Sequence, residues 1–257
     1  MNTAVVRAPG AQTLLRLGRV SNLPTVWTNV IAGATIANTA ATVADIATVG
    51  LAMTAFYVGG MYLNDFFDRE IDARERPGRP IHAGDIGAAT VSAIGFALLA
   101  AAVALLAPFG PFATIWALAL AVAIVLYDAW HKGNRFAPVI MGLCRALVYL
   151  GTGAAVSGNV LPALIIGATA LAAHVIGLTY AAKQSLLLCL ADIAAVRLLA
   201  RRATADAVPR AVSILIAAIC LVDALAVALH GGGIVLTCAC ASGYLLTRLF
   251  QAAIPGT

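Results

Sequence analysis

Three carboxylates stand close together in the stretch NDFFDREIDARERPGRP, which begins at Asn64. On a helix, Asp65, Asp68 and Asp72 would line one face and cover about 10 Å along its axis. Like charges at this spacing repel one another, and a bound divalent cation removes the repulsion. Mg²⁺ suits such a site, because it combines one or two carboxylates with water molecules and the phosphate oxygens of a substrate. The spacing therefore predicts a magnesium site.

Basic residues follow directly. Arg74, Arg76 and Arg79 lie in a segment with two prolines, which stop a helix and stiffen the chain. Guanidinium groups bind phosphate through two parallel hydrogen bonds. Acids for a metal and arginines for phosphate oxygens together indicate a site for a diphosphate ester. The long apolar segment just before the acids suggests that the ester carries a hydrocarbon tail.

The same stretch has a purely structural interpretation. It could be a solvated helix end in which Arg69, Arg74 and Arg76 neutralise the acids. Its position argues for the metal site, because the chain has 11 acidic residues and four of them lie between Asp65 and Asp72. A protein so poor in acids places them beside the end of an apolar segment.

The elements that carry this stretch are predicted from composition. Of the 257 residues, 62% are hydrophobic and 11% are charged, whereas about 25% of a soluble domain is charged. Successive apolar stretches are long enough to cross a bilayer as helices. We predict an all-α, polytopic transmembrane helical bundle of eight spans, or nine. The eight spans are expected at 23–44, 46–64, 88–107, 111–130, 136–156, 161–182, 210–229 and 231–251.

The basic residues predict the topology of these spans. Lys and Arg occur in the N-terminal arm 1–22, in the aspartate-rich loop 64–85, after the fourth span, in the segment 183–209 and near the C-terminus. The intervening connections have none. By the positive-inside rule the N-terminus and all the charged loops are cytoplasmic. The net charge of +5 is thus explained by membrane topology, and we predict membrane lipids and no nucleic acid as partners.

The segment 184–202 is apolar enough to form a ninth span. Spanning would place Asp192 near the middle of the membrane, at a cost of about 2.5–3.5 kcal/mol, and would invert the topology after it. We therefore expect a helix at the cytoplasmic interface.

The sequence NDFFDREIDARERPGRPI resembles the first aspartate-rich motif, N-D-x-x-D-x-x-x-D, of the UbiA superfamily of intramembrane prenyltransferases. RVSNLPTVWTNVIAG, in and before the first span, is similar to that family's opening helix, and YDAWHK and MGLCRALVYLGTG also resemble it, in particular its EboC-like branch. The resemblance implies a single domain over 1–257, a bundle with a central cavity capped on the cytoplasmic side, in the cell membrane of a bacterium. It also implies Mg²⁺-dependent transfer of a prenyl group from a prenyl diphosphate to a lipophilic acceptor, aromatic or other.

Carried over by position, the resemblance assigns site residues. The metal and diphosphate ligands would be Asn64, Asp65, Asp68 and Asp72, and the three aspartates among them would be the catalytic residues. The further substrate-binding residues would be Asn29, Arg79 and Lys132. Arg145 and Tyr149 share one face of the fifth span, and an arginine inside a membrane span usually faces a polar cavity or a partner. We therefore add both as substrate-binding candidates.

The chain departs from the family pattern after the sixth span, where a second acidic motif is expected. Lys183 and Gln184 stand there instead, which puts a second Mg²⁺ in doubt, and Lys183 is expected to contact the diphosphate directly. Asp128 offers another carboxylate, but its spacing from Lys132 favours an ordinary ion pair between helix residues four apart.

Two functions from different classes follow. The first is an enzyme that alkylates an acceptor with a prenyl cation. The second is a non-catalytic membrane protein that binds or moves a lipid-linked diphosphate, as the missing second motif suggests. Phosphatidyl transfer from a CDP-alcohol is set aside, because its D-G-x-x-A-R run does not occur.

Overall fold

The computed structural model describes residues 9–37, 41–182 and 207–254. Within these ranges the chain is helical, with no strand. The helices are α1 (Ala11–Leu17), α2 (Leu23–Ala37), α3 (Val43–Phe67), α4 (Arg69–Glu75), α5 (Ala88–Leu106), α6 (Pro111–Trp130), α7 (Ala137–Ser157), α8 (Pro162–Ala182), α9 (Ala207–Leu229) and α10 (Gly233–Ala253). Short 3₁₀ turns lie at Val20–Asn22 and Ala107–Phe109.

Seven helices in the described ranges are long and apolar enough to cross a membrane. They are α3 and α5–α10, and they correspond to seven of the eight predicted spans. The predicted span 23–44 contains α2, which has 15 described helical residues and so falls short of a full crossing of about 20 residues. The all-α membrane bundle predicted from composition is confirmed. The segment 184–202 lies outside the described residues.

Local sequence explains several helix ends. At the start of α3, the Thr42 hydroxyl accepts from the Asp45 backbone N–H, and the Asp45 carboxylate accepts from the Thr42 backbone N–H. This capping box satisfies two N–H groups that the helix cannot pair internally. Pro111 and Pro162 occupy first positions of helices, where a missing N–H costs nothing.

Two apolar cores form the bundle. One joins α3, α5 and α6, and the other joins α8, α9 and α10, while α2 and α7 contribute side chains to both. Since α2 also packs against α3, α7, α9 and α10, the first long helix lies at the junction of the two halves. Polar side chains on α2 and α7 are therefore placed at the centre of the bundle.

Small residues let α3 and α5 approach closely. A Cβ atom added at Gly59 would lie 3.0 Å from the carbonyl oxygen of Gly95, and one added at Gly95 would lie 2.8 Å from the Leu63 side chain. Close packing of this kind holds membrane helices together where the lipid is as apolar as the side chains. It fixes the position of the last turns of α3, which carry the acidic stretch.

The acidic stretch is not one uninterrupted helix. The helix α3 ends at Phe67, Asp68 is the residue between, and α4 begins at Arg69. Asp68 keeps a right-handed helical conformation, and its carbonyl accepts from the Asp72 backbone N–H. The chain direction is therefore nearly maintained, and Asp65, Asp68 and Asp72 all remain buried.

Candidate functional site

The N-terminal arm reaches the acidic stretch through Arg19. Its guanidinium Nη2 donates to Asn64 Oδ1 over 2.9 Å and lies 3.3 Å from Asp65 Oδ1. Arg19 has φ 43° and is the one non-glycine residue with positive φ in the described part of the chain. Its carbonyl accepts from the Tyr57 hydroxyl on α3. An unfavourable backbone conformation is thus held by contacts on both sides, as occurs at functional sites.

Arg79 connects two of the carboxylates. Its Nη1 lies 2.6 Å from Asp65 Oδ1 and its Nε lies 3.9 Å from Asp72 Oδ2. Arg76 adds a longer ion pair, with Nε 3.6 Å from Asp72 Oδ1. The loop that follows α4 therefore folds back over the acids, and Arg74, which precedes it, makes no ion pair within the described ranges.

Asp68 pairs with residues of the loop after α6. His131 Nε2 and Lys132 Nζ lie 3.3 and 3.4 Å from its Oδ2. Burial raises the pKa of this carboxyl, but the hydrogen bonds and charges of the two basic residues outweigh it and hold the pKa below its usual value. Asp68 is consequently ionised at neutral pH.

The expected ion pair between Asp128 and Lys132 does not form. The helix α6 ends at Trp130, so Lys132 lies beyond it and the four-residue helical spacing does not apply. Asp128 is buried in α6, and its Oδ1 accepts from Asn64 Nδ2 over 3.2 Å. Its Oδ2 has no hydrogen-bond partner.

Asn64, Asp68 and the basic residues around them line a cavity of about 840 Å³, called here the polar pocket. Asp65 and Asp72 do not line it themselves but pair with Arg79, which does. The charged and polar lining of the polar pocket comprises Arg19, Asn64, Asp68, Arg76, Arg79, His131, Lys132, Asn134 and Arg135. A hydrogen bond from the Tyr180 hydroxyl to the Arg135 carbonyl brings the end of α8 to the same place. The charged loops that are far apart in sequence therefore meet at one end of the bundle.

A second cavity, called here the inner pocket, lies next to the polar pocket. It has about 90 Å³ and is lined mainly by apolar side chains of α2, α3, α6 and α7, with Asp128 and Arg145 among them. Met61, Tyr127 and Met141 line both cavities. A polar compartment thus adjoins an apolar one across three shared side chains.

The donor set fits Mg²⁺ if substrate and water complete the coordination. Within the described ranges, Asp72 Oδ1 is a buried oxygen without a hydrogen-bond partner, and its ion pair with Arg76 Nε is 3.6 Å long, which leaves it able to bind a metal cation. No three His, Cys, Asp or Glu side chains in the described ranges come together as a ready-made metal site. Mg²⁺ commonly takes one or two carboxylates and fills its octahedron with water and phosphate oxygens.

Asn29, Arg145 and Tyr149 come together deeper in the bundle, around a carboxylate that the sequence analysis overlooked. Asp223 of α9 is 0% exposed. Its oxygens accept from Thr28 Oγ1 at 2.5 Å, Asn29 Nδ2 at 2.7 Å and Tyr149 Oη at 2.5 Å. Arg145 Nη1 donates to Asn29 Oδ1 over 2.7 Å. Three helices are therefore linked by one polar network inside the apolar core.

The structure groups the predicted site residues in two places. The polar end contains Asn64, Asp65, Asp68, Asp72, Arg79 and Lys132, and the buried network contains Asn29, Arg145 and Tyr149. Lys183 lies outside the described residues. Arg19, His131 and Asp223 were not among the predicted site residues, although they contact Asn64, Asp68 and Asn29. A signal existed for Asp223, since an acid within an apolar span marks a functional position.

Comparison with known proteins places the chain in a family. The family model for the UbiA prenyltransferase family matches residues 23–254. Digeranylgeranylglyceryl phosphate synthase of Ignicoccus hospitalis is 37% identical over 114 residues, which cover 44% of this chain and 37% of that protein. The aligned part thus spans little more than a third of that relative's length.

Solved structures share the fold. An apo UbiA homologue from Aeropyrum pernix K1 matches with a TM-score of 0.57 and 18% identity, over 91% of this chain and 87% of that one. A UbiA homologue from Archaeoglobus fulgidus, bound to DMAPP and Mg²⁺, matches with a TM-score of 0.54 and 14% identity, over 94% of this chain and 86% of that one. Since the family model covers nearly the whole chain and the helical bundle agrees, this integral membrane protein belongs to the UbiA prenyltransferase family.

Proposed function

We propose that the protein is a Mg²⁺-dependent intramembrane prenyltransferase that moves a prenyl group from a prenyl diphosphate to a lipophilic acceptor. The observation that carries the proposal is the polar pocket, which adjoins the apolar inner pocket. It is lined by Asp68, by Asn64 and by guanidiniums, of which Arg79 pairs with Asp65 and Asp72. A diphosphate fits the first compartment by charge, and the reacting end of its hydrocarbon fits the second. The Archaeoglobus fulgidus homologue, bound to DMAPP and Mg²⁺, supports this choice of donor and metal.

Asn64, Asp65, Asp68 and Asp72 would hold the metal, which when bound supplies positive charge to the diphosphate and so makes it a better leaving group. Asp65 pairs with Arg19 and Arg79 and Asp68 with Lys132 in the ligand-free protein. Metal binding to these acids would release the basic groups. They would then be available to the diphosphate oxygens in the same pocket.

The reaction breaks the bond between C1 of the prenyl chain and the diphosphate oxygen, whose electron pair leaves with the diphosphate. Arg19, Arg79 and Lys132 stabilise the charge that builds up there. A nucleophilic atom of the acceptor forms the new bond to C1 and loses its proton, which the released diphosphate takes up. The apolar lining of the inner pocket excludes water, which would otherwise capture the allylic cation.

For the acceptor we propose a chemical class and not a single compound. The Ignicoccus hospitalis relative is named for a prenylated glyceryl phosphate, so an ether lipid with a glyceryl phosphate head is a first acceptor to test, beside an aromatic phenol. We also propose that the polar end faces the cytoplasm of a bacterial cell, as the basic loops indicate.

The test is release of pyrophosphate from geranylgeranyl diphosphate by the protein in liposomes with Mg²⁺ and each acceptor. Asp68→Ala should lower turnover by about 100-fold or more, because it removes a group that organises the departing charge. The matched control is Glu70→Ala, which alters an exposed acid of the same stretch that pairs only with Arg69 in the described chain. Equal activity in wild type and Asp68→Ala would refute the assignment.

A non-catalytic function is favoured by one observation, the pairing of Asp65, Asp68 and Asp72 with basic side chains. Such a protein would bind geranylgeranyl diphosphate with Mg²⁺ but release no pyrophosphate with any acceptor. The same assay, accompanied by a binding measurement, separates the two functions.

A further inference from the structure

Arg145 differs from Arg19, Arg76 and Arg79 in making no ion pair with an acid of the described residues. The guanidinium has five N–H donors. Nη1 donates to Asn29 Oδ1 at 2.7 Å and Nη2 donates to Thr25 Oγ1 at 3.2 Å. No carboxylate in the described ranges lies within ion-pair distance of it. Among the residues that the structure describes, three N–H donors of this half-buried arginine therefore lack an acceptor.

Asp223 explains how this arginine is held. An ionised carboxylate only accepts hydrogen bonds and a guanidinium only donates them. The Asn29 amide between them must therefore turn its NH₂ to Asp223 and its carbonyl to Arg145. Thr28 and Tyr149 donate to the same carboxylate, which locks it in place. The charge of Asp223 thus fixes the orientation of Asn29, and Asn29 fixes one edge of Arg145.

The remaining surface of Arg145 belongs to the inner pocket. The side chain lines that cavity, and its Cζ lies 5.9 Å from the centre of the Tyr57 ring, which also lines it. The cation–π contact holds one face of the guanidinium without using its N–H donors. Its position is therefore determined by protein contacts on two sides before any ligand binds.

A bare cation at this wall is unsuited to a hydrocarbon ligand. Positive charge develops at C1 of the prenyl group during transfer, and a neighbouring guanidinium would oppose it across a medium of low dielectric constant. An anion bound between the two reverses the sign of that interaction. Prenyl transfer is therefore favoured when the acceptor places an acidic group against Arg145.

We propose that Arg145, positioned by Asn29 and Asp223, binds the acidic head group of the acceptor, a phosphate or a carboxylate. The inference rests on the proposed function and makes it more specific, since it selects acidic acceptor lipids over neutral ones. Arg145 would contact the acceptor itself, whereas Asp223 acts through Asn29 and is a positioning residue.

The experiment measures lipid binding to the purified full chain in detergent, with Mg²⁺ and geranyl S-thiolodiphosphate. This donor analogue reacts very slowly and occupies the polar pocket. The probes are 1-oleoylglycerol 3-phosphate, oleate, uncharged monoolein and inorganic phosphate. Wild type should bind at least one acidic lipid about tenfold or more tightly than monoolein, because charge-assisted hydrogen bonds are strong in an apolar site.

Two variants test whether the preference for acidic lipids depends on Arg145 and Asp223, and a third variant is a control. Arg145→Gln and Asp223→Asn should each bring the acidic lipid to within about twofold of monoolein, since the first removes the charge and the second lets the Asn29 amide rotate. The far-UV circular dichroism and the gel-filtration profile of both variants should match those of wild type, which shows that the fold is intact. The control is Arg248→Gln. In wild type, Arg248 lies in α10 and donates to Gln251, not to Asn29 or Asp223.

Any one of the following results would overturn the inference. If wild type binds the donor analogue but prefers no acidic lipid, Arg145 does not bind the head group of the acceptor. The same conclusion follows if Arg145→Gln keeps the preference for acidic lipids. Inorganic phosphate bound as tightly as the acidic lipids would indicate a site for a free anion and not for an acceptor. If wild type does not bind the donor analogue with Mg²⁺, the proposed function fails, and the inference falls with it.

Discussion

Replacement of Arg79 by glutamine removes the guanidinium that connects Asp65 and Asp72. Both carboxylates are nearly inaccessible to solvent, with 5% and 3% of their side chains exposed. In the described chain, the variant Arg79→Gln leaves Asp65 with Arg19 at 3.3 Å and Asp72 with Arg76 at 3.6 Å. We expect it to destabilise the ligand-free protein and to be rescued by Mg²⁺, because a divalent cation supplies the positive charge that the variant lacks.

The size of the effect follows from burial. Breaking a buried ion pair by removing one partner costs about 3–5 kcal/mol. Since 19% of the Arg79 side chain is exposed, water can partly replace it, and we expect a loss of roughly 2–3 kcal/mol in the free energy of unfolding. For a chain of this size that corresponds to a fall in Tm of about 4–12 °C.

The assay is thermal unfolding of the detergent-solubilised protein in chelator, in Mg²⁺, and in KCl of matched ionic strength. Mg²⁺ should restore at least half of the lost Tm, while KCl, which only screens charges, should not. The control is Arg74→Gln, because Arg74 is exposed and makes no ion pair within the described ranges. Its Tm should stay within about 2 °C of wild type, as is usual for surface changes. If Arg79→Gln is as stable as wild type in chelator, or if Mg²⁺ and KCl act alike, the acids are not a cation site.

Three further outcomes are expected. In chelator, the depressed pKa of Asp68 contributes stability that is present above its unfolded pKa and is lost as the pH falls through the lower folded pKa. The Tm difference between wild type and Asp68→Asn should therefore shrink below about pH 4, and a difference that grows there would contradict the pairing with His131. Gly59→Val should lower the free energy of unfolding by about 1–3 kcal/mol, since its side chain meets the Gly95 backbone. Gly78→Val, in open space, is its control, and equal losses in both would show that α3 and α5 are not tightly packed. Chelator alone should leave wild type folded, as judged by circular dichroism, because basic side chains already neutralise the acids; unfolding on chelation would indicate a structural metal instead.

The sequence carried enough information for the fold class and for the acidic half of the site. Composition and the length of the apolar stretches determine a membrane bundle, and the spacing of Asp65, Asp68 and Asp72 keeps them together whether or not the helix is continuous. Both are local properties of the sequence and do not depend on contacts between residues that are far apart in the chain.

The residues that contact these side chains could not be predicted from local sequence. Arg19 meets Asn64 from 45 residues away, and Asp223 meets Asn29 from 194 residues away, so both contacts depend on how helices pack. The predicted pair of Asp128 with Lys132 was wrong for a related reason. It assumed that α6 continues to Lys132, whereas the helix ends at Trp130 and leaves Lys132 to reach Asp68.

Diffraction from crystals grown with Mn²⁺ and geranyl S-thiolodiphosphate tests the proposed chemistry most directly, because the anomalous signal of Mn²⁺ locates the metal. We predict a peak in the polar pocket, with Asp68 and at least one of Asp65, Asp72 and Asn64 as ligands and the diphosphate on its other side. A metal bound elsewhere, or a diphosphate held there by arginines with the acids still paired to basic side chains, would contradict it.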